Sequence, residues 1–391
     1  MRSLRRVGAL AGVVALSLGA VACSSDDRDA GSSALAREVI EHYADGVYAS
    51  YALSLTEAQA MDEEIDAFLA APSEEGLELA REAWLAARPA YGRTEAFRFY
   101  GGPIDDEETG PEGQINAWPL DEAYIDYVVG DPGAGIINNA STYPEITVEV
   151  LTDANEAGGE ANISTGWHAI EFLLWGQDLS TTGPGARPYT DYTTAPNADR
   201  RGEYLAVVTD LLIDDLQSLV DAWAPGVDDN YAAEFLALDD DEALSYIFTG
   251  IGELSRGELA GERMNVAYEE RSQENEHSCF SDNTLADIQA NAEGIQMVWT
   301  GVYVGGPTGP GLAALVAETD EDLAAETTEV IAASIEAAES IPAPFDQHLA
   351  EDADDTSPGR VAIVATMDSL SNQTDLIVQS ADALGISIAV S

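Results

Sequence analysis

At 391 residues, with 72 Asp and Glu against 16 basic side chains, the chain carries a formal charge of -56, and all of its basic residues are arginine. Such a surface repels nucleic acid and anionic polymers, so no nucleic-acid partner is expected. Only two cysteines are present, which leaves no disulfide framework to read.

Arg2, Arg5 and Arg6 precede an apolar run from Val7 to Val21, and Cys23 follows Ala22. Residues 1–22 read as a secretory signal, too short for a spanning helix. Ala20-Val21-Ala22-Cys23 is similar to a bacterial lipobox, which implies lipidation of Cys23, with residues 23–34 as a tether. The protein is thus expected to be exported and held by a lipid anchor on the cell envelope, its periplasmic or surface side left open.

Helical spacing then dominates. Leu35, Val39, Tyr43, Val47 and Tyr51 form one stripe, and Leu77, Leu79, Trp84 and Ala87 form part of a second after Pro72-Ser73. Between Glu203 and Trp223, apolar residues recur every three or four positions, and Pro225-Gly226 stops the pattern. Further helices are expected over 285–302, 320–341 and 359–370. The glycine-rich stretch 305–311 lacks the lysine of a phosphate loop and contains two prolines, so it reads as a turn. The expected architecture is all-α, with two helix-bundle domains over 35–230 and 231–391.

The densest chemical signal is Gly166-Trp167-His168-Ala169-Ile170-Glu171. On a helix, residues three apart share a face, so His168 and Glu171 present an imidazole and a carboxylate together. That pair supplies two ligands for a transition metal, and a bundle would complete the shell from facing helices. A packed histidine paired to its helix neighbour would look the same.

This segment resembles the Gly-x-His-x-x-Glu signature of the imelysin-like (peptidase M75) family. Similar blocks are Thr94–Tyr100, Ile115–Glu122 and Glu274–Thr284. The resemblance implies an all-helical, two-domain envelope protein linked to iron acquisition, with acidic residues from earlier helices joining the signature pair. By position these are Glu95 and Asp121, beside His168 and Glu171. Asp121 also suits a helix N-cap. Arg98, Trp118, Trp167 and Trp175 are candidates for contacting a ligand or supporting the metal ligands. His277 and Cys279 are a candidate second metal or redox site, or a packed turn.

The implied ligand is a divalent or trivalent metal, iron first, with haem or an iron chelate left open. A membrane transporter or another envelope protein would be the partner. Peptidase chemistry is disfavoured: Phe172 stands where the inverted zinc motif His-x-x-Glu-His needs its second histidine, and no Gly-x-Ser-x-Gly elbow occurs. A metal-dependent peptidase and a structural surface lipoprotein are the alternatives.

Overall fold

The computed structural model describes residues 26–180 and 182–391. Cys23 and the expected signal segment lie outside them.

Helix α1 (Asp26–Ala70) follows its four-residue stripe, which buries Val39, Tyr43, Val47 and Tyr51. It packs against α2 (Glu74–Gly92). Ser73 caps α2, its side chain accepting from the Gly76 N–H, and Leu77, Trp84 and Ala87 face inward. Leu79 instead stands on the outer face, 44% exposed, and is not part of that stripe. A 3-10 turn (Arg93–Phe97) leads into an irregular stretch, and α3 (Gly166–Trp175), which carries the signature, is buried along its whole length.

Helix α4 (Ala198–Trp223) buries Leu205, Val208, Leu212, Leu216, Leu219 and Trp223 and packs on both α1 and α3. Next come α5 (Asp240–Glu253) and, continuous with it, a π-helical stretch (Leu254–Asn265). Helices α6 (Thr284–Thr300), α7 (Glu321–Glu339) and α8 (Pro358–Ala383) complete the bundle. Helix α8 runs past the expected 359–370 and takes in Leu376–Val378, because Leu370, Leu376 and Ile377 continue its buried face. Residues 305–311 form the expected turn, closed by a bridge between Val302 and Thr308.

No sheet forms among the described residues, only isolated bridges, and none of their helices is long and apolar enough to cross a membrane. The larger hydrophobic core runs from Ala36 to Ile386 and draws on both sides of the boundary expected at 230/231. A smaller core gathers Leu259, Met264, Ile288, Phe345, Ile363 and Leu370. Helices α2, α3 and α6 and the π-helical stretch between them bring the functional candidates together.

Candidate metal centre

Helix α3 starts where it does because of Gly166. Its φ is +82°, and a Cβ there would lie 2.3 Å from the backbone oxygen of Ile115. Only glycine permits that conformation and that approach. Two residues on, His168 points into the interior, 1% exposed, and Glu171 lies one turn further at 0%.

His168 Nδ1 is 2.9 Å from Glu171 Oε2. The other Glu171 oxygen accepts from the Ser281 N–H at 2.9 Å and from Ser281 Oγ at 2.7 Å. His168 Nε2 faces His277 Nε2 at 3.2 Å. His277 is also buried, 3% exposed, and its Nδ1 lies 2.7 Å from Asp287 Oδ2. That contact is close but too angled for a well-formed hydrogen bond, so its attraction is chiefly electrostatic. Each imidazole is therefore backed at Nδ1 by a buried carboxylate, and the two Nε2 atoms converge. This is how proteins commonly orient metal-ligating histidines, the carboxylate fixing tautomer and ring direction.

Asp287 is anchored in turn. Arg88 donates through Nε at 3.1 Å and Nη2 at 3.0 Å, Ser278 Oγ at 2.6 Å, and Asn283 Nδ2 at 3.2 Å. Arg88 also donates to Asn116 Oδ1 at 2.6 Å. The indole of Trp118 meets the His168 ring edge-on, centroids 4.8 Å apart. Beside these groups opens a cleft of about 360 Å³, whose walls include His277, Trp118 and Asn116, five glutamates (Glu112, Glu156, Glu160, Glu258, Glu262) and two arginines (Arg98, Arg263).

The donor set fits a metal. When both Nδ1 atoms carry a proton toward their carboxylates, two Nε2 lone pairs face each other, with Arg88 Nη2 3.5 Å from that of His168, an arrangement a cation between or beside them would relieve. Nitrogen ligands at about 2.0–2.1 Å from one metal stand roughly 3–3.4 Å apart in common geometries, and the observed 3.2 Å lies in that span. Without a metal, a proton serves instead. Burial pushes the Glu171 carboxyl up to about 8, so it donates to His168, which donates to His277.

Several expected residues take other roles. Glu171 holds the far nitrogen of His168 rather than sharing its Nε2 face. Glu95 is buried, but Arg98 donates to it at 2.8 Å and Arg263 closes on the same oxygen. Its charge is thus already neutralised, and it reads as the anchor of two arginines. Asp121 is exposed and caps the short helix Glu122–Ile125, accepting from the Ala123 N–H. It takes no part in the His168 network.

Trp118 belongs to the centre, whereas Trp167 and Trp175 pack on Trp84 in the core behind it. His277 is not a site apart from His168. Cys279 is a buried free thiol whose pKa burial and the nearby Glu171 push well up, which disfavours the thiolate that metal binding or redox chemistry needs. Arg88, Asn116, Ser281 and Asp287 had no local signal. They lie at distant points of the chain, and only Asn116 and Ser281 fall within the family-like blocks, with nothing there to single them out.

These environments set the pH response. Burial, with carboxylate neighbours, raises Asp62 and Asp178 to about 6, and Glu122, Asp215 and Asp282 to about 7, alongside Glu171. Between the usual carboxylate range near pH 4 and those values, the folded chain holds protons that the unfolded chain has shed. Stability therefore falls as pH rises through that window. Burial lowers His168 and His277, two groups that act in the opposite sense as pH falls below about 6.5. Burial also opposes ionisation of Glu95 and Asp287, but Arg263 and Arg98 around the first, and Arg88 and His277 around the second, hold both well below the ordinary range. Their contribution is lost in acid. In chelator, the urea midpoint is expected to rise from pH 8 to about 5.5 and to fall below about pH 4. A midpoint that climbs steadily from pH 5.5 to 8 contradicts this assignment of charges.

Comparison with known proteins agrees with the fold and the signature. The family model described as Imelysin, peptidase M75, matches residues 47–377. Iron-regulated protein A of Synechococcus elongatus is 25% identical over 356 residues, covering 88% of this chain and 87% of that protein. A crystal structure from Parabacteroides distasonis, assigned as an iron-regulated protein A precursor, superposes with a TM-score of 0.66 at 20% identity, covering 92% of this chain and 97% of its own. An imelysin-like protein from Psychrobacter arcticum gives 0.65 at 16% identity, covering 91% and 98%. With its helical bundle and a family match across most of its length, this chain belongs to the imelysin family.

Proposed function

We propose that this protein binds iron at the cell envelope and serves iron acquisition or handling. The observation that carries the reading is the pair of converging imidazoles, Nε2 to Nε2 at 3.2 Å, each backed by a buried carboxylate. His168 and His277 would be the ligands, and Glu171 and Asp287 would orient them. The five glutamates of the cleft offer an entry that concentrates cations, with open positions on the metal left for water or a chelate oxygen. The relative named iron-regulated protein A supports iron over other metals. The amino-terminal segment ending at Cys23 supports export and lipid anchoring, which would place the site outside the inner membrane, within reach of a transporter.

Stripped protein titrated with ferrous iron under anaerobic conditions should take up one ion per chain. His168→Ala and His277→Ala should each abolish uptake, and Glu171→Gln should weaken it by about 10–100-fold, the usual cost of losing a carboxylate behind a ligand. Equal iron content in wild type and both histidine variants would sink the proposal.

A further inference from the structure

A second cluster includes Asp282, on the loop that carries His277. One carboxylate oxygen from each of Asp178, Asp282 and Asp346 lies within 4.8 Å of the other two. They come from three separated segments: the loop after α3, the Glu274–Thr284 block, and the 3-10 turn Asp346–His348.

Asp178 is satisfied, accepting from the Ser180 N–H at 2.8 Å and from Gln273 Nε2 at 2.5 Å, but the other groups are not. Asp346 is 2% exposed, yet neither of its carboxylate oxygens has a hydrogen-bond partner, and Asp282 Oδ1 has none either. Glu276, on the same loop as Asp282, is also buried, 1% exposed, with Oε1 accepting from Thr284 Oγ1 at 2.7 Å and Oε2 unpartnered. Elsewhere this chain pairs several deep carboxylates with arginine: Glu95 with Arg98, Asp126 with Arg187 and Arg201, Asp287 with Arg88. Among the described residues, none of the four acidic groups here has such a pair. Buried charges that are neither paired nor hydrogen-bonded are costly, and metal coordination is a standard way to satisfy them.

We propose that Asp178, Asp282 and Asp346 hold a hard divalent cation, Ca²⁺ in preference to Mg²⁺, with water completing the oxygen shell and the nearby Glu276 adding negative charge. An all-oxygen set of several carboxylates matches Ca²⁺, which takes six to eight oxygens at about 2.3–2.6 Å, whereas Mg²⁺ keeps most of its water. The site differs in chemistry from the nitrogen centre at His168 and His277. It also has a structural consequence for that centre. Asp282 directly follows Ser281, which donates to Glu171, so the cation pins the loop that supplies both Ser281 and His277.

The test is calorimetric titration and thermal melting of full-length, chelator-stripped protein with Ca²⁺ and, separately, with Mg²⁺. The expected result is one Ca²⁺ per chain at sub-millimolar affinity, a Tm raised by several degrees, and a weaker response to Mg²⁺. Asp346→Asn and Asp282→Asn should each weaken Ca²⁺ binding at least tenfold, the second variant serving if the first does not fold. His168→Ala should bind Ca²⁺ as wild type does, which separates this site from the iron centre. No saturable Ca²⁺ binding, stronger binding of Mg²⁺, unchanged affinity in both Asp variants, or loss of Ca²⁺ in His168→Ala each overturns the proposal.

Discussion

Replacing Glu95 with glutamine should lower the free energy of unfolding by roughly 3–5 kcal/mol, the usual cost of removing one partner from a buried charge cluster. Glu95 is 1% exposed and sits between Arg98 and Arg263, with Asn116 Nδ2 donating to its other oxygen at 3.4 Å. Arg263 reaches it from the π-helical stretch while also donating to Asn291 Oδ1 of α6 at 2.6 Å. The carboxylate thus ties the 3-10 turn after α2 to two later elements. Glutamine keeps the shape and removes the charge, leaving Arg98 and Arg263 facing each other with only the part-buried Glu112 and Glu258 to offset them. Urea unfolding in the presence of chelator measures the loss. A metal-ligand role for Glu95 makes the opposite forecast: without metal, the variant would be as stable as wild type or more so, because an uncompensated charge would have been removed.

The second large effect is expected at Gly166. Alanine there must adopt a φ of +82° and place its Cβ 2.3 Å from the Ile115 oxygen and 2.5 Å from that of Gln114. Strain of the backbone alone costs about 1–3 kcal/mol. The clash adds to it, because backbone atoms on both sides cannot swing away as a side chain would. A loss of about 3 kcal/mol or more is expected, and Ile115 has to separate from the start of α3 to relieve it. His168, two residues on, moves with that start, so iron affinity should fall even though no ligand has been changed. The urea midpoint and an iron titration on the same sample check both parts. A variant within about 0.5 kcal/mol of wild type, the range of an ordinary surface substitution, would show that the glycine is not required by this packing.

These two positions also show where reading from the chain alone goes astray. Glu95 and Gly166 both lie in blocks that resemble the family, and Glu95, expected as a ligand, is set between two arginines instead. An acidic residue in an aromatic-rich block looks the same whether it faces a metal or two arginines, and Arg263 lies 168 positions away. Asp121 illustrates the opposite case. Its position before the short helix suited an N-cap, and the structure uses it as one, with no connection to the buried centre. His277 reads with Cys279 as a candidate second site or a packed turn because both crowd one short acidic block; it lies 109 positions from His168, and nothing local predicts that two rings so far apart will meet.

What the chain determined by itself is whatever depends on neighbours in sequence. The 3.6-residue periodicity of α1, α4 and α7 is a local property, and so is the shared face of His168 and Glu171, three residues apart on α3. The charge of -56 likewise follows from composition alone. Tertiary structure decided which of 72 acidic residues matter. It matched Asp287 and Glu171 to imidazole nitrogens, Glu95 to guanidinium groups, and Asp178, Asp282 and Asp346 to one another. The physical reason is that the role of a carboxylate is set by its desolvation and by the charges within a few ångströms. In this bundle many of the partners come from segments 100 to 200 residues away, as Ser281 Oγ does for Glu171 at a separation of 110 and Arg88 for Asp287 at 199.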